Sequence, residues 1–406
     1  MVFKKIFIYS IYSNMKICTF IIFFLILLFF CSCDQPKQFG RVDSSQIEEI
    51  VIDAKDGLML PIDSFVKKVD YIKLETTDDN LIGEVSQLLF MDTLLVVVDA
   101  RIAKSICVFD LEGRFKYKIG SLGGGPDEYA NITNVCLVPG KDQLSVLDGP
   151  QKNVIYYRLT GEYEYSEKTP FMLYYFEYLE SGFRAFNTSA MNDPTFGKYI
   201  KNTLIVTDDR NKITYGACHD FYSEKFNFTS HRPLRKFDNE VYYSPSFTDT
   251  IYVVTDTIVS AKYSINIKWN GMPKFNEKIT NEIFDGYCKE YFYFNGHYIE
   301  LKDLTFVNIS TPGGTPFVIY SHKTKKTYLS SGNVYNPFFA FLKNNIPIAG
   351  YKDSIVVSDI KSYHIMASKQ NLYQVDGFRE SLDALYEDLT EDSNPVLFFF
   401  HLNTNL

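Results

Sequence analysis

The sequence is poor in the residues that most often carry out chemistry. Its 406 residues include one Trp and six His. No two of those histidines (His219, His231, His297, His322, His364 and His401) stand at metal-ligand spacing. There is no His-Glu-x-x-His helix, no Gly-x-Ser-x-Gly elbow and no cysteine knuckle, which removes the common signatures of zinc and serine hydrolases. No cofactor motif is present, and no cofactor is expected. Positive charge is short as well: 41 Lys and Arg against 49 Asp and Glu leave a net charge of −8. Nucleic acid is thereby excluded as a partner, because counterion release from phosphates needs a basic face. Among the seven Cys, only Cys107, Cys136, Cys218 and Cys288 lie beyond residue 33, without paired spacing. A disulfide among them cannot be deduced from that spacing. Cys107, between Ile106 and Val108, reads as a small buried apolar residue.

What the chain does hold is aromatic and β-branched. Phe (35) and Tyr (30) dominate an aromatic content of 16%, which favours pleated sheet. A pattern recurs on either side of a glycine loop. First come Leu94-Leu95-Val96-Val97-Val98-Asp99, then Ile106 to Asp110 and the turn Leu111-Glu112-Gly113-Arg114-Phe115. After the loop come Leu144 to Asp148, Val154 to Arg158 and Leu159-Thr160-Gly161-Glu162-Tyr163, with Gly113 falling on Gly161 at a shift of 48 residues. Repeats of this length made of short strands and tight turns mark propeller blades. An outer-membrane barrel is also rich in aromatics, but its strands alternate between lipid and lumen faces. Leu94 to Val98 is apolar on both faces, as in a strand sandwiched between stacked sheets. The expected class is all-β.

At the N-terminus, Met15-Lys16 precedes an unbroken apolar run from Ile17 to Phe30 and then Cys31-Ser32-Cys33. Fourteen helical residues reach about 21 Å, short of the roughly 30 Å hydrocarbon core, so the run reads as a signal h-region. Residues 1–32 are assigned to the signal, whose compact form suggests a start at Met15. The segment resembles a lipobox, in which Cys33, with Cys31 as the alternative, would be acylated and tie the chain to membrane lipid. Residues 33–45 form the tether, and residues 46–406 the propeller domain.

Along that domain, Ile47 to Ile52 and Val69 to Leu74 read as opening strands, and the two repeats span Leu81 to Thr169. Further strands are expected at Phe171 to Phe186, Tyr199 to Thr207, Lys212 to His219, Val241 to Tyr243, Asp249 to Val254, Ser260 to Lys268, Leu304 to Ile309, Thr315 to Tyr320, Phe338 to Leu342 and Ser354 to Ser358. Ile279, Ile283, Tyr287 and Tyr291 share a helical face within Phe275 to Asn295, with Asn276 as a candidate cap. Leu382, Leu385, Tyr386 and Leu389 mark a second short helix. The terminal run Val396 to Leu402 must be covered, most economically beside the N-terminal strand.

The loop Gly120 to Tyr129 has the form G-x-G-P-x-E-Y. Asp249-Thr250-Ile251-Tyr252 is followed by Lys262-Tyr263-Ser264-Ile265, and the chain closes on Asn394-Pro395-Val396-Leu397. Together with the lipobox, these residues resemble the six-bladed β-propeller lipoproteins of Bacteroidetes, a family of unknown function, over nearly all of the mature chain. The resemblance implies six blades, of which the repeat itself shows two, and an address at the outer membrane. It implies no activity. Lipoproteins of that phylum commonly carry acidic residues after the anchor when they reach the surface. No run of acidic residues follows Cys33, so the periplasmic face is expected.

Candidate ligand contacts are few. The glycine loop lacks the Lys-Ser/Thr of a P-loop and runs into Pro126, which points to a structural crossing pinned by Glu128 and Tyr129, with ligand contact as the alternative. Arg101 and Lys104, between the paired strands of the first repeat, are placed by topology near the mouth of the ring. The leading expectation is a non-enzymatic binding or scaffold module for a glycan, a peptide or a partner protein. The rivals are a carbohydrate-active enzyme with scattered carboxylates and an accessory subunit that docks through the helix within Phe275 to Asn295.

Overall fold

The computed structural model describes residues 42–406 apart from 56, 189–193, 220–231, 246–247, 274–280 and 331–333. The signal segment, Cys33 and most of the tether lie outside the described residues.

Six antiparallel sheets of successive strands form the blades of a propeller. Blade one comprises Gln87–Phe90, Leu94–Asp99, Ser105–Asp110 and Phe115–Lys118, from the axis outward. Blade two comprises Asn134–Leu137, Gln143–Asp148, Asn153–Arg158 and Tyr163–Lys168. Blade three comprises Tyr175–Tyr178, Arg184–Asn187, Asn202–Thr207 and Ile213–His219. Blade four holds Leu234–Phe237, Glu240–Tyr243, Thr250–Val254 and Val259–Ile267, and blade five holds Tyr293–Glu300, Leu304–Ser310, Phe317–Ser321 and Thr327–Ser330. Blade six begins with Ala349–Tyr351 and Ile355–Ile360.

The two-faced apolar strands of the repeat follow from this stacking. Leu95, Val97, Cys107 and Phe109 of blade one pack with Val357 of blade six. Their neighbours Val96, Val98, Ile106 and Val108 pack with Val135, Val146 and Ile155 of blade two. Each such fully buried side chain contributes roughly 1.5–3 kcal/mol. Six clusters of this kind, one for each blade interface, make up the core.

The Asp that ends the second strand of each repeat is also explained. Asp99 is fully buried and accepts backbone N–H groups of Gly83 (2.8 Å), Glu84 (3.0 Å), Arg101 (3.1 Å) and Ile102 (2.8 Å). Asp148 does the same for Ala130, Asn131 and Gln151. Each carboxylate thus ties the entry to its blade to the next turn. Gly113 and Gly161 close matching turns at φ of 83° and 96°, where only glycine sits without strain.

Both ends of the chain close the ring. In blade six the third strand is Val396–Leu402 and the outermost is Val66–Lys73, paired antiparallel from Val396↔Lys73 to Leu402↔Val66. Asn394, 2% exposed, latches the join: it accepts from Ile82 N (2.8 Å) and donates to Glu75 O (2.8 Å) and Asn80 O (3.0 Å). Upstream, Glu48–Ile52 and Leu58–Leu60 add parallel strands to the outer edges of blades four and five. Edges that could pair with another chain are covered in this way.

Phe338 to Leu342, expected as a strand, is instead a helical segment, Phe339–Asn344. The Asp63 carboxylate accepts Tyr335 N and Asn336 N, and Asn336 Oδ1 accepts Phe338 N at 3.0 Å, which starts a turn. Phe339, Phe341 and Leu342 are then buried beside Ile62 and Phe65. A run this short and apolar has no period that separates strand from helix. Blade six carries an insertion with two helices, Ser362–Leu372 and Arg379–Tyr386; the second buries the expected Leu382, Leu385 and Tyr386. The helix within Phe275 to Asn295 appears as Asn281–Glu290. Its candidate cap Asn276, with Ile279, lies outside the described residues.

Candidate functional site in the central channel

The first strand of every blade faces the axis, and side chains stitch neighbouring first strands together. Gln87 of blade one accepts Val135 N of blade two at 3.2 Å, and Asn134 of blade two accepts Phe176 N of blade three at 2.7 Å. Two cavities lie along this wall. The upper one, about 540 Å³, is lined by Glu84, Gln87, Arg101, Asn131, Thr133, Tyr174, Tyr175 and Asp359 among others. The lower one, about 380 Å³, is lined by Glu177, Lys236, Tyr242, Tyr298 and Glu300 among others. Arg232, Arg235 and Ile348 line both, which makes them the waist of the channel.

Arg235 bridges blades four, five and six at that waist. From the first strand of blade four its Nη1 donates to Ile348 O of blade six at 3.2 Å, and its Nη2 meets His297 Nδ1 of blade five at 3.0 Å. Because a guanidinium can only donate, Nδ1 accepts and the neutral imidazole carries its proton on Nε2. Burial, followed by the charge of Arg232, pushes Arg235 down to about 10, so it is cationic at neutral pH. Arg232 is lowered by burial, with Glu177 opposing. Glu177 is itself raised by burial, against the pull of Arg232 and Lys236. At the upper mouth Asp359 is pushed up to about 6, chiefly by burial and further by Glu84.

A second polar cluster joins blades four and five. Tyr263 and Thr305 each donate to Glu300 at 2.8 Å, and Thr305 Oγ1 lies 2.8 Å from His322 Nε2. Hydroxyl, imidazole and carboxylate suggest a nucleophile with its base, but Thr305 is fully buried, so no substrate reaches its hydroxyl. The cluster acts as a clasp between blades.

The residues singled out from sequence are dispersed. Arg101 is exposed, lines the upper cavity and pairs with Glu84 at 3.4 Å. Lys104, at φ 48°, occupies the turn before Ser105 and lines neither channel cavity. Glu128 accepts Gly125 N at 2.7 Å and Tyr129, 1% exposed, is packed between blades one and two. Both therefore hold the glycine loop, and neither lines the channel cavities. Gly120 in that loop has φ 62°, and a Cβ there would stand 2.6 Å from Tyr157 Oη. Cys107, Cys136, Cys218 and Cys288 are free thiols.

Sequence inspection missed Arg232, Arg235, Lys236, Glu177 and Tyr298. One signal was available: Arg232-Pro233-Leu234-Arg235-Lys236 places cations on a blade's first strand, where only the channel is wet.

Solved structures share the fold. The crystal structure of a "Putative exported protein" from Bacteroides fragilis superposes with a TM-score of 0.72 at 20% identity, over 88% of this chain and 100% of the other. A member of the duf4221 family from Bacteroides vulgatus gives a TM-score of 0.51 at 10% identity, over 83% and 97%. At these identities the likeness carries the fold and nothing more. No curated protein matches the sequence. The family model described as a domain of unknown function, DUF4934, matches residues 47–401, and the chain belongs to that family.

Proposed function

We propose that this protein is a cell-envelope propeller, anchored to the outer membrane through acylated Cys33 on the periplasmic side, that binds a glycan or peptide in its central channel without transforming it. The observation that carries this reading is the channel: two cavities of about 540 and 380 Å³ meeting at a polar waist, on a wall of stacked sheets. Concave sites of this volume, preformed and holding a few convergent polar groups, are where small ligands bind. The apolar run from Ile17 to Phe30, followed by Cys31-Ser32-Cys33, supports the anchor. No helix among the described residues is long and apolar enough to cross a membrane.

The test is a thermal-shift screen of the detergent-solubilised full chain against neutral and acidic glycans and short peptides. A ligand at about 100 times its Kd should add near 2.7 kcal/mol of stability. Stabilisation without new reducing ends supports a binder. Turnover that disappears in Asp359→Asn would instead establish a carbohydrate-active enzyme, with Glu84 and Asp359 as its acids. Cys33→Ala should abolish lipid labelling; label that persists would refute the anchor.

A further inference from the structure

Arg232 and Arg235 line both cavities, and no carboxylate does. The two charges are close enough for Arg232 to depress Arg235. Both are half-buried, and cations withdrawn from water are normally met by acids within contact distance. Neither guanidinium makes an ion pair with a described residue; Glu177 acts on Arg232 only through its field. Arg235 Nε is shut away from solvent without a partner, and so is the hydroxyl of Tyr298, a residue 1% exposed on the wall of the lower cavity. Unmet buried atoms also occur in the blade walls, at Arg184 Nε and Thr207 Oγ1 for example, so what marks the waist is the pair of cations lining both cavities without an ion-pair partner among the described residues.

We propose that the channel waist is an oxyanion site and that its ligand is an acidic sugar, whose carboxylate is held between Arg232 and Arg235. This rests on the channel being a binding site. Guanidinium donors match the two oxygens of a carboxylate in plane, which a lysine ammonium cannot do. Above the waist, Tyr174 and Tyr175 offer ring faces for a sugar ring, while Asn131 and Thr133 offer partners for its hydroxyls.

The experiment is calorimetric titration of the detergent-solubilised full chain with trigalacturonate, neutral galactotriose and inorganic phosphate. Trigalacturonate should bind, weaken as salt rises, and lose at least tenfold in affinity in Arg235→Gln and in Arg232→Gln. Arg232 makes no hydrogen bond to a described residue, so its variant reports on the site even where Arg235→Gln misfolds. Phosphate that competes with trigalacturonate supports the oxyanion site; phosphate that binds while trigalacturonate does not overturns the sugar assignment. Galactotriose binding as tightly as trigalacturonate, or uronate binding unchanged in both variants, overturns the inference and leaves channel binding standing. Silence in all three arms overturns it too, and the wider screen then decides whether the channel binds anything.

Discussion

Asp99 and Arg235 are both charged residues set within the ring, and their surroundings are opposite. Around the Asp99 carboxylate, four backbone N–H groups converge. Around the Arg235 guanidinium there are a carbonyl, an imidazole and an orphaned Nε. In the walls, Asn394 binds both sides of the ring closure and Glu300 is held by two hydroxyls between blades four and five. At the waist of the channel, two cations stand together without an ion-pair partner among the described residues. The fold accounts for the first set, so substitutions there should be felt as stability; a ligand is the simplest account of the second, so substitutions there should be felt as affinity.

The contrast can be broken in several ways. Removing residues 396–406 takes the third strand from blade six and leaves Val66–Lys73 without its partner. No folded ring should form, measured as loss of a cooperative thermal transition. Asp99→Ala should lower stability by about 3 kcal/mol, because several buried N–H groups lose their acceptor at once. Arg232→Gln should leave stability unchanged or raise it, because it removes a desolvated charge that has no ion-pair partner among the described residues. Equal losses in denaturant titrations of the two variants would erase the distinction between wall and channel. Gly120→Ala should cost about 2 kcal/mol, since φ 62° and the approach of Tyr157 both oppose a Cβ.

A further effect concerns pH. Asp359 is pushed up to about 6 in the folded chain, by burial and then by Glu84, with Lys361 opposing from its own segment. A carboxyl raised above its ordinary value of 3.8 favours folding while protonated, and that contribution is lost as pH rises from about 4 through about 6. Asp359→Asn should therefore flatten the pH dependence of the thermal midpoint across that window, by on the order of 1 kcal/mol. An unchanged profile would show that Asp359 titrates normally.

How much was legible follows from the kind of signal each feature leaves. Blades one and two could be read because their turns match in length, so Gly113 and Gly161 fall into register and Asp99 and Asp148 mark equivalent strand ends. Blade six could not, because the helices Ser362–Leu372 and Arg379–Tyr386 separate its second strand from its third. Its last strand was still legible, since Val396 to Leu402 is too apolar to be left uncovered. Glu128 and Tyr129 were visible as a motif, and their contacts are those of a loop fastener. Arg101 reached a cavity wall by topology, whereas the cations at the waist belong to no motif.

The amino-acid sequence by itself determined most of the strands, and the turns and two-faced apolar strands of blades one and two, because apolar runs and the backbone needs of Asp and Gly act over a few neighbours. Only the tertiary structure decided what the channel contains. Its waist takes Arg232 and Arg235 from blade four and its entry, and a carbonyl from Ile348 at the entry to blade six. Glu177 comes from blade three and His297 from blade five. Residues so far apart along the chain share no local pattern, and they meet only because the ring closes.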